Sequence, residues 1–131
     1  MHQPKYIRMK KETIVEQFLH DFKIHSQEGF VCFDARVEFN APGISRQFPC
    51  EVLIQAVGHA WMIYLLDIDV RRYDMPDTYT CTASNCTYEK DRALVIVQTG
   101  VEANSFILKI HPEGTGCKPY TIQELRQKVL N

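Results

Sequence analysis

Between Phe30 and Asn40 the chain alternates without a break: Val31, Phe33, Ala35, Val37 and Phe39 against Cys32, Asp34, Arg36, Glu38 and Asn40. A period of two puts the first set on one face of a strand and the second on the other. The pattern therefore predicts a strand in a sheet covered on one side, with Pro42-Gly43 punctuating its end. Upstream the period is helical. Ile14, Val15, Phe18, Leu19 and Phe22 fall on one face, with Glu16, Gln17, His20, Asp21 and Lys23 on the other, which predicts an amphipathic helix ending near Ser26 to Gly29.

Downstream of Pro49, residues 50–66 are apolar nearly all round, and Gln55, Ala56, Met62 and the Leu65-Leu66 pair favour helix. Gly58 weakens that helix by about 1 kcal/mol relative to Ala. A helix without a polar face has to be enclosed, so it is expected to be buried. Asp67 to Arg71 alternates as a short strand, and Asp74 to Asp77 with Pro76 forms a turn. The Thr-, Tyr- and Cys-rich stretch Thr78 to Tyr88 reads as an interrupted strand or tight hairpin bent at Ser84-Asn85. Glu89 to Arg92 forms a hairpin tip leading into Leu94 to Val97, a β-branched run expected at the sheet centre, and Phe106, Leu108 and Ile110 mark the last strand. Thr121 and Glu124 make a capping box, with Tyr120 stapling onto Leu125, for a C-terminal amphipathic helix.

These elements predict an α+β fold. It consists of an antiparallel sheet of roughly four or five strands packed on the apolar helix, with amphipathic helices at both ends of the chain.

Composition narrows the class. The 131 residues are 45% hydrophobic and 24% charged, which fits one globular domain over residues 1–131. Fifteen Lys and Arg against sixteen Asp and Glu give no global field for a phosphate backbone, so nucleic acid ranks low. The exception is a short basic arm at residues 1–11, carrying Lys5, Arg8, Lys10 and Lys11. The odd count of cysteines (Cys32, Cys50, Cys81, Cys86, Cys117) and the polar N-terminal stretch predict free thiols in a reducing cytoplasm. The apolar run 50–66 is shorter than the ~20 residues a bilayer requires, so no membrane partner is expected.

Candidate chemistry is sparse. Gln55 and His59, four apart, share one side of the predicted apolar helix with Tyr64 near its end, and a buried imidazole there could move a proton or help hold a ligand. Cys50, at the predicted helix start, is the candidate nucleophile, because a helix N-terminus favours thiolate. His59, nine residues on, faces the opposite side of the same helix. Cys81 and Cys86 have a loose zinc spacing without a second ligand pair, so neither metal nor cofactor is expected. Asp67 and Asp69, on one strand face with Arg71, read as a surface ion cluster.

Gln47-Phe48-Pro49, followed by Val52-Leu53-Ile54 and Gln55-Ala56, resembles the text around the active-site helix of the hotdog-fold acyl-thioester dehydratases and thioesterases. The resemblance implies a hotdog-like arrangement of sheet around helix. Where that family carries its His and its carboxylate, this chain holds Gln47 and Gln55, neither of which exchanges protons in the way the reaction requires. The leading functional expectation is a non-catalytic domain that binds a protein partner or assembles with itself. The alternatives are a hotdog-like enzyme or carrier for an acyl, thioester or other apolar small ligand beside Gln55, His59 and Tyr64, and a weak nucleic-acid binder acting through the basic arm.

Overall fold

A computed structural model describes residues 14–24, 30–66, 75–82, 84–89, 91–98, 105–114 and 123–124. The described chain is a short helix α1 (14–21) followed by seven strands: β1 (Phe30–Ala41), β2 (Ile44–Val57), β3 (Ala60–Leu66), β4 (Thr78–Cys81), β5 (Cys86–Tyr88), β6 (Leu94–Gln98) and β7 (Phe106–Pro112). All pairings are antiparallel, in the order β4-β3-β2-β1-β7-β6-β5. The sheet curls into a nearly closed barrel, and its edges β4 and β5 are joined by a disulfide between Cys81 and Cys86.

This overturns the predicted α+β architecture of four or five strands on a buried helix. Residues 50–66 are a β-hairpin, and with no helix there the hotdog-like arrangement falls as well. The reason is burial on both faces. Val52, Ile54, Ile63 and Leu65 point into the barrel core, while Leu53 and Leu66 form a second buried cluster with Cys32 on the opposite face. A strand enclosed on both sides loses its alternation and cannot be told from a buried helix by periodicity.

Local backbone chemistry decides between the two. Gly58, the first residue of the two-residue turn between Val57 and Ala60, has φ +60°. Glycine at that position is the mark of a type II′ hairpin, whose twist matches the flanking strands. At the β1–β2 turn Pro42 precedes Gly43, whose φ is +78°, the arrangement of a type II turn. Pro49 pairs with Arg36 of β1, and among the described residues β3 joins β2 from Glu51 onward.

Other expectations also change place. The central strand is β1, which pairs with β2 and β7, rather than β6, which lies next to the edge. The stretch 78–88 does bend at residues 84–85, but β4 and β5 do not pair as a hairpin and instead form the two rims of the sheet. The expected strand at residues 67–71 lies outside the described residues, as do the basic arm and all but residues 123–124 of the C-terminal helix.

Helix α1 closes one end of the barrel. Val15, Phe18, Leu19 and Phe22 are buried, and the Phe18 ring meets Phe33 of β1 at 6.2 Å and Tyr88 of β5 at 5.7 Å between centroids. The helix ends in a Schellman motif. Ile24 N–H donates to the Leu19 carbonyl at 2.8 Å and Lys23 N–H to that of His20 at 3.0 Å, with Lys23 in the left-handed region and Ile24 buried. Arg92, on the β5–β6 turn, completes the clamp: it donates to the Asp21 carbonyl at 2.9 Å and lies 4.5 Å from the centre of the Phe22 ring.

Candidate ligand cavity at the barrel mouth

The candidate site lies at the end away from α1. A cavity of about 560 Å³ lies there, walled by inward-facing residues of five strands: Phe39 and Ala41 of β1, Ile44 of β2, Tyr79 of β4, Ile96 and Gln98 of β6, and Phe106 of β7. Pro76, Thr78, Thr80 and Ser105 complete its described lining. Phe106 anchors an aromatic wall, 5.3 Å from Phe39 and edge-on to Tyr79 at 5.4 Å between ring centroids. The wall is a consequence of register. Phe39 pairs with Leu108 and Gln98 with Phe106, so alternation turns these side chains inward at the same level of the barrel.

Polar groups among the described lining residues are neutral and few. Tyr79 is buried and donates its hydroxyl to the Pro76 carbonyl at 2.7 Å, which fixes the ring and ties the approach segment to β4. Burial, with smaller contributions from Asp77 and Cys50, raises its pKa far above the ordinary tyrosine value of 10. The phenol is therefore a hydrogen-bond donor at any ordinary pH and cannot serve as a base. Gln98, in the inward register of β6, brings an amide to the rim, whereas Thr78 and Thr80 flank Tyr79 with their hydroxyls on the outer face, bonded to the Asp77 carboxylate and the Met62 sulfur.

One flank of the mouth is the seam between the sheet edges. Asn85 bridges it. Its side-chain oxygen accepts from Thr82 N–H at 2.7 Å and from the Thr82 hydroxyl at 3.0 Å, its amide donates to the Thr80 carbonyl at 2.9 Å, and its own carbonyl accepts from Val97 N–H at 2.8 Å. The Cys81–Cys86 bond lies just inside this bridge, with both side chains in the barrel core.

The residues singled out from sequence lie elsewhere. Gln55 and His59 are exposed near the tip of the β2–β3 hairpin, and the half-buried Tyr64 packs on the outer cluster of Cys32, Leu53 and Leu66. In a strand Gln55 and His59 do not share the helical face that would have brought them together. Cys50 sits in mid-strand without a helix terminus beside it, and its thiol donates to the carbonyls of Glu51 and Leu66, each at 3.3 Å. Cys81 and Cys86 are oxidised to a disulfide rather than free, because the turn at 84–85 brings the two inward faces together. Asp67, Asp69, Arg71 and Cys117 lie outside the described residues.

Sequence reasoning missed Phe39, Tyr79, Gln98 and Phe106 as site residues. One signal was available: Gln98 continues the inward register of Leu94 and Ile96, a polar residue on a core face.

Among the described residues no group of three or more His, Cys, Asp or Glu is arranged to hold a metal ion, and no helix is long and apolar enough to cross a membrane. A shallower depression of about 310 Å³ lies beside Asp34, Pro49, Glu51 and Glu113. Compared with known proteins, the chain matches no family model, no curated protein and no solved structure. Fold and cavity together define the described residues as a small antiparallel β-barrel plugged at one end by a helix, with a cavity towards the other.

Proposed function

We propose that this protein binds a small, mainly apolar molecule in the barrel mouth and works as a carrier or sensor rather than as an enzyme. The observation that carries this reading is the cavity of about 560 Å³ walled by Phe39, Tyr79, Ile96 and Phe106. Its volume falls within the roughly 300–1,000 Å³ usual for ligand pockets, and barrel mouths are a common place for them. The aromatic wall suits a flat ring system or a short acyl chain, and the rim amide of Gln98 suits one neutral polar end. Tyr79, held neutral, orients a ligand without activating it.

Docking of a protein partner has less to draw on. The large hydrophobic residues exposed among those described are Val57, 48% exposed, and Ile107, 40% exposed, on different strands. Residues of that kind scattered singly are ordinary. For location, the cytoplasm remains the working proposal.

The test uses an uncharged, polarity-sensitive naphthalene dye titrated into the full chain. Saturable fluorescence enhancement at one dye per chain is expected, and Ala41→Trp, which fills the mouth, should abolish it. Equal binding by that variant, or no binding of the dye or of a panel of neutral acyl and aromatic probes, would overturn the proposal.

A further inference from the structure

We infer that the Cys81–Cys86 disulfide is a thiol-controlled latch on the barrel seam, and that its reduction loosens the β4 wall of the cavity. The inference rests on the ligand reading for its functional consequence, but not for its structural one.

Cys81 ends β4 and Cys86 begins β5, and these are the two edge strands of the sheet. A bond five residues apart in sequence therefore joins the two extremes of a seven-stranded order and closes the barrel. The cavity lies against it: Thr80 precedes Cys81, and Ile96 is the register partner of Cys86.

β4 is the weakest wall. It has four residues, three of which (Thr78, Tyr79 and Thr80) line the cavity, and among the described residues it pairs on one side, with β3. On its other side the described attachments are the disulfide and the hydrogen bonds of Asn85. Short edge elements with few ladder bonds belong to the low-stability end of a fold and open locally before the core does. Without the covalent tie, Tyr79 is held by its short ladder to β3, the Asn85 bridge, its hydroxyl bond to Pro76 and its contact with Phe106.

The chemistry balances with a dithiol as the reductant. One reductant thiolate attacks a cysteine sulfur and displaces the other, which takes up a proton. The second reductant thiol then resolves the mixed disulfide. Two protein thiols form, and the dithiol leaves as its own disulfide. Cys81 is 1% and Cys86 3% exposed, so attack requires the seam to open first. A molecule packed against Tyr79 and Ile96 holds that seam shut. Ligand and reductant are consequently linked: occupancy slows reduction, and reduction weakens binding.

The experiment compares the full chain oxidised and after treatment with dithiothreitol, with alkylation and mass measurement confirming the thiol state. Amide hydrogen exchange is followed strand by strand, and the naphthalene dye serves as the binding probe. Reduction should speed exchange in β4 while β1 and β2 keep their protection, and should weaken dye binding by roughly tenfold, within the usual range of coupling between sites. Saturating dye should slow the reduction itself. A Cys81→Ala/Cys86→Ala variant should match the reduced protein and ignore the dithiol.

Unchanged β4 exchange in protein shown to be reduced would overturn the latch. Loss of protection across the whole sheet would also overturn it, by making the bond a global staple. If the oxidised protein binds no dye, the ligand reading fails alone, because β4 exchange still decides the latch.

Discussion

The Tyr88 hydroxyl on β5 donates to the Asp21 carboxylate at the end of α1, 2.5 Å away, so a hydrogen bond spanning 67 positions of sequence fastens the helical plug to the barrel. Gln17, one turn earlier on the helix, donates to the other carboxylate oxygen at 2.8 Å. The Tyr88 bond, followed by that of Gln17, lowers the pKa of Asp21 below its ordinary 3.8, while burial and then the same bond raise that of Tyr88.

A pH dependence follows. Because the folded-state pKa of Asp21 is depressed, its contribution to stability is complete above the unfolded value and is lost as pH falls through the folded one. Thermal melts should therefore show an acid limb beginning near about pH 4 and continuing below it. Asp21→Asn should flatten that limb, and Tyr88→Phe should flatten it in part. An acid limb identical in all three proteins would separate the plug contact from acid unfolding.

Lys23 holds a left-handed conformation, with φ 57°, at the position where a Schellman motif ordinarily carries glycine. The side chain is exposed, so replacing it removes no core contact. Lys23→Gly should raise stability by roughly 1 kcal/mol, the scale of the left-handed penalty for an L-residue. Urea unfolding measures this directly, and a loss of stability would show that the lysine makes a contact worth more than the strain.

Phe18 is fully buried and touches Phe22, Phe33 and Tyr88, joining the plug to two strands. Phe18→Ala should cost about 3–5 kcal/mol, as expected for deleting a buried ring. Exchange protection should fall first in α1 and at the plugged end, and uniform loss across the barrel would contradict a separable plug.

Gln55 and His59 serve as controls for the cavity assignment, being exposed at the hairpin away from its lining. Gln55→Ala and His59→Ala should leave dye affinity within twofold of the parent, about 0.4 kcal/mol by affinity arithmetic. A tenfold loss in either would relocate the site to the β2–β3 hairpin.

What was legible in the chain was local. The alternation of Phe30 to Asn40 marks β1, the spacing of Val15, Phe18, Leu19 and Phe22 marks the buried face of α1, and Pro42-Gly43 marks the first turn. Each is a property of a few neighbouring residues, fixed by a backbone period or a glycine φ. Residues 50–66 misled because their polarity reports only that both faces are buried, and helix and strand satisfy that equally until Gly58 is read as a hairpin turn.

The cavity lay beyond any local signal. Phe39, Tyr79, Gln98 and Phe106 meet only because four strands from distant parts of the chain are brought to one level by register. Likewise Cys81 and Cys86 become a closure only because the sheet curls until its first and last strands face each other. The sequence by itself determined β1, β6, β7 and the plug helix through side-chain periodicity and turn chemistry, but not β2 and β3. The order of the strands in the sheet, the curl of the barrel and the cavity at its mouth were decided by long-range pairing, which no stretch of neighbouring residues encodes.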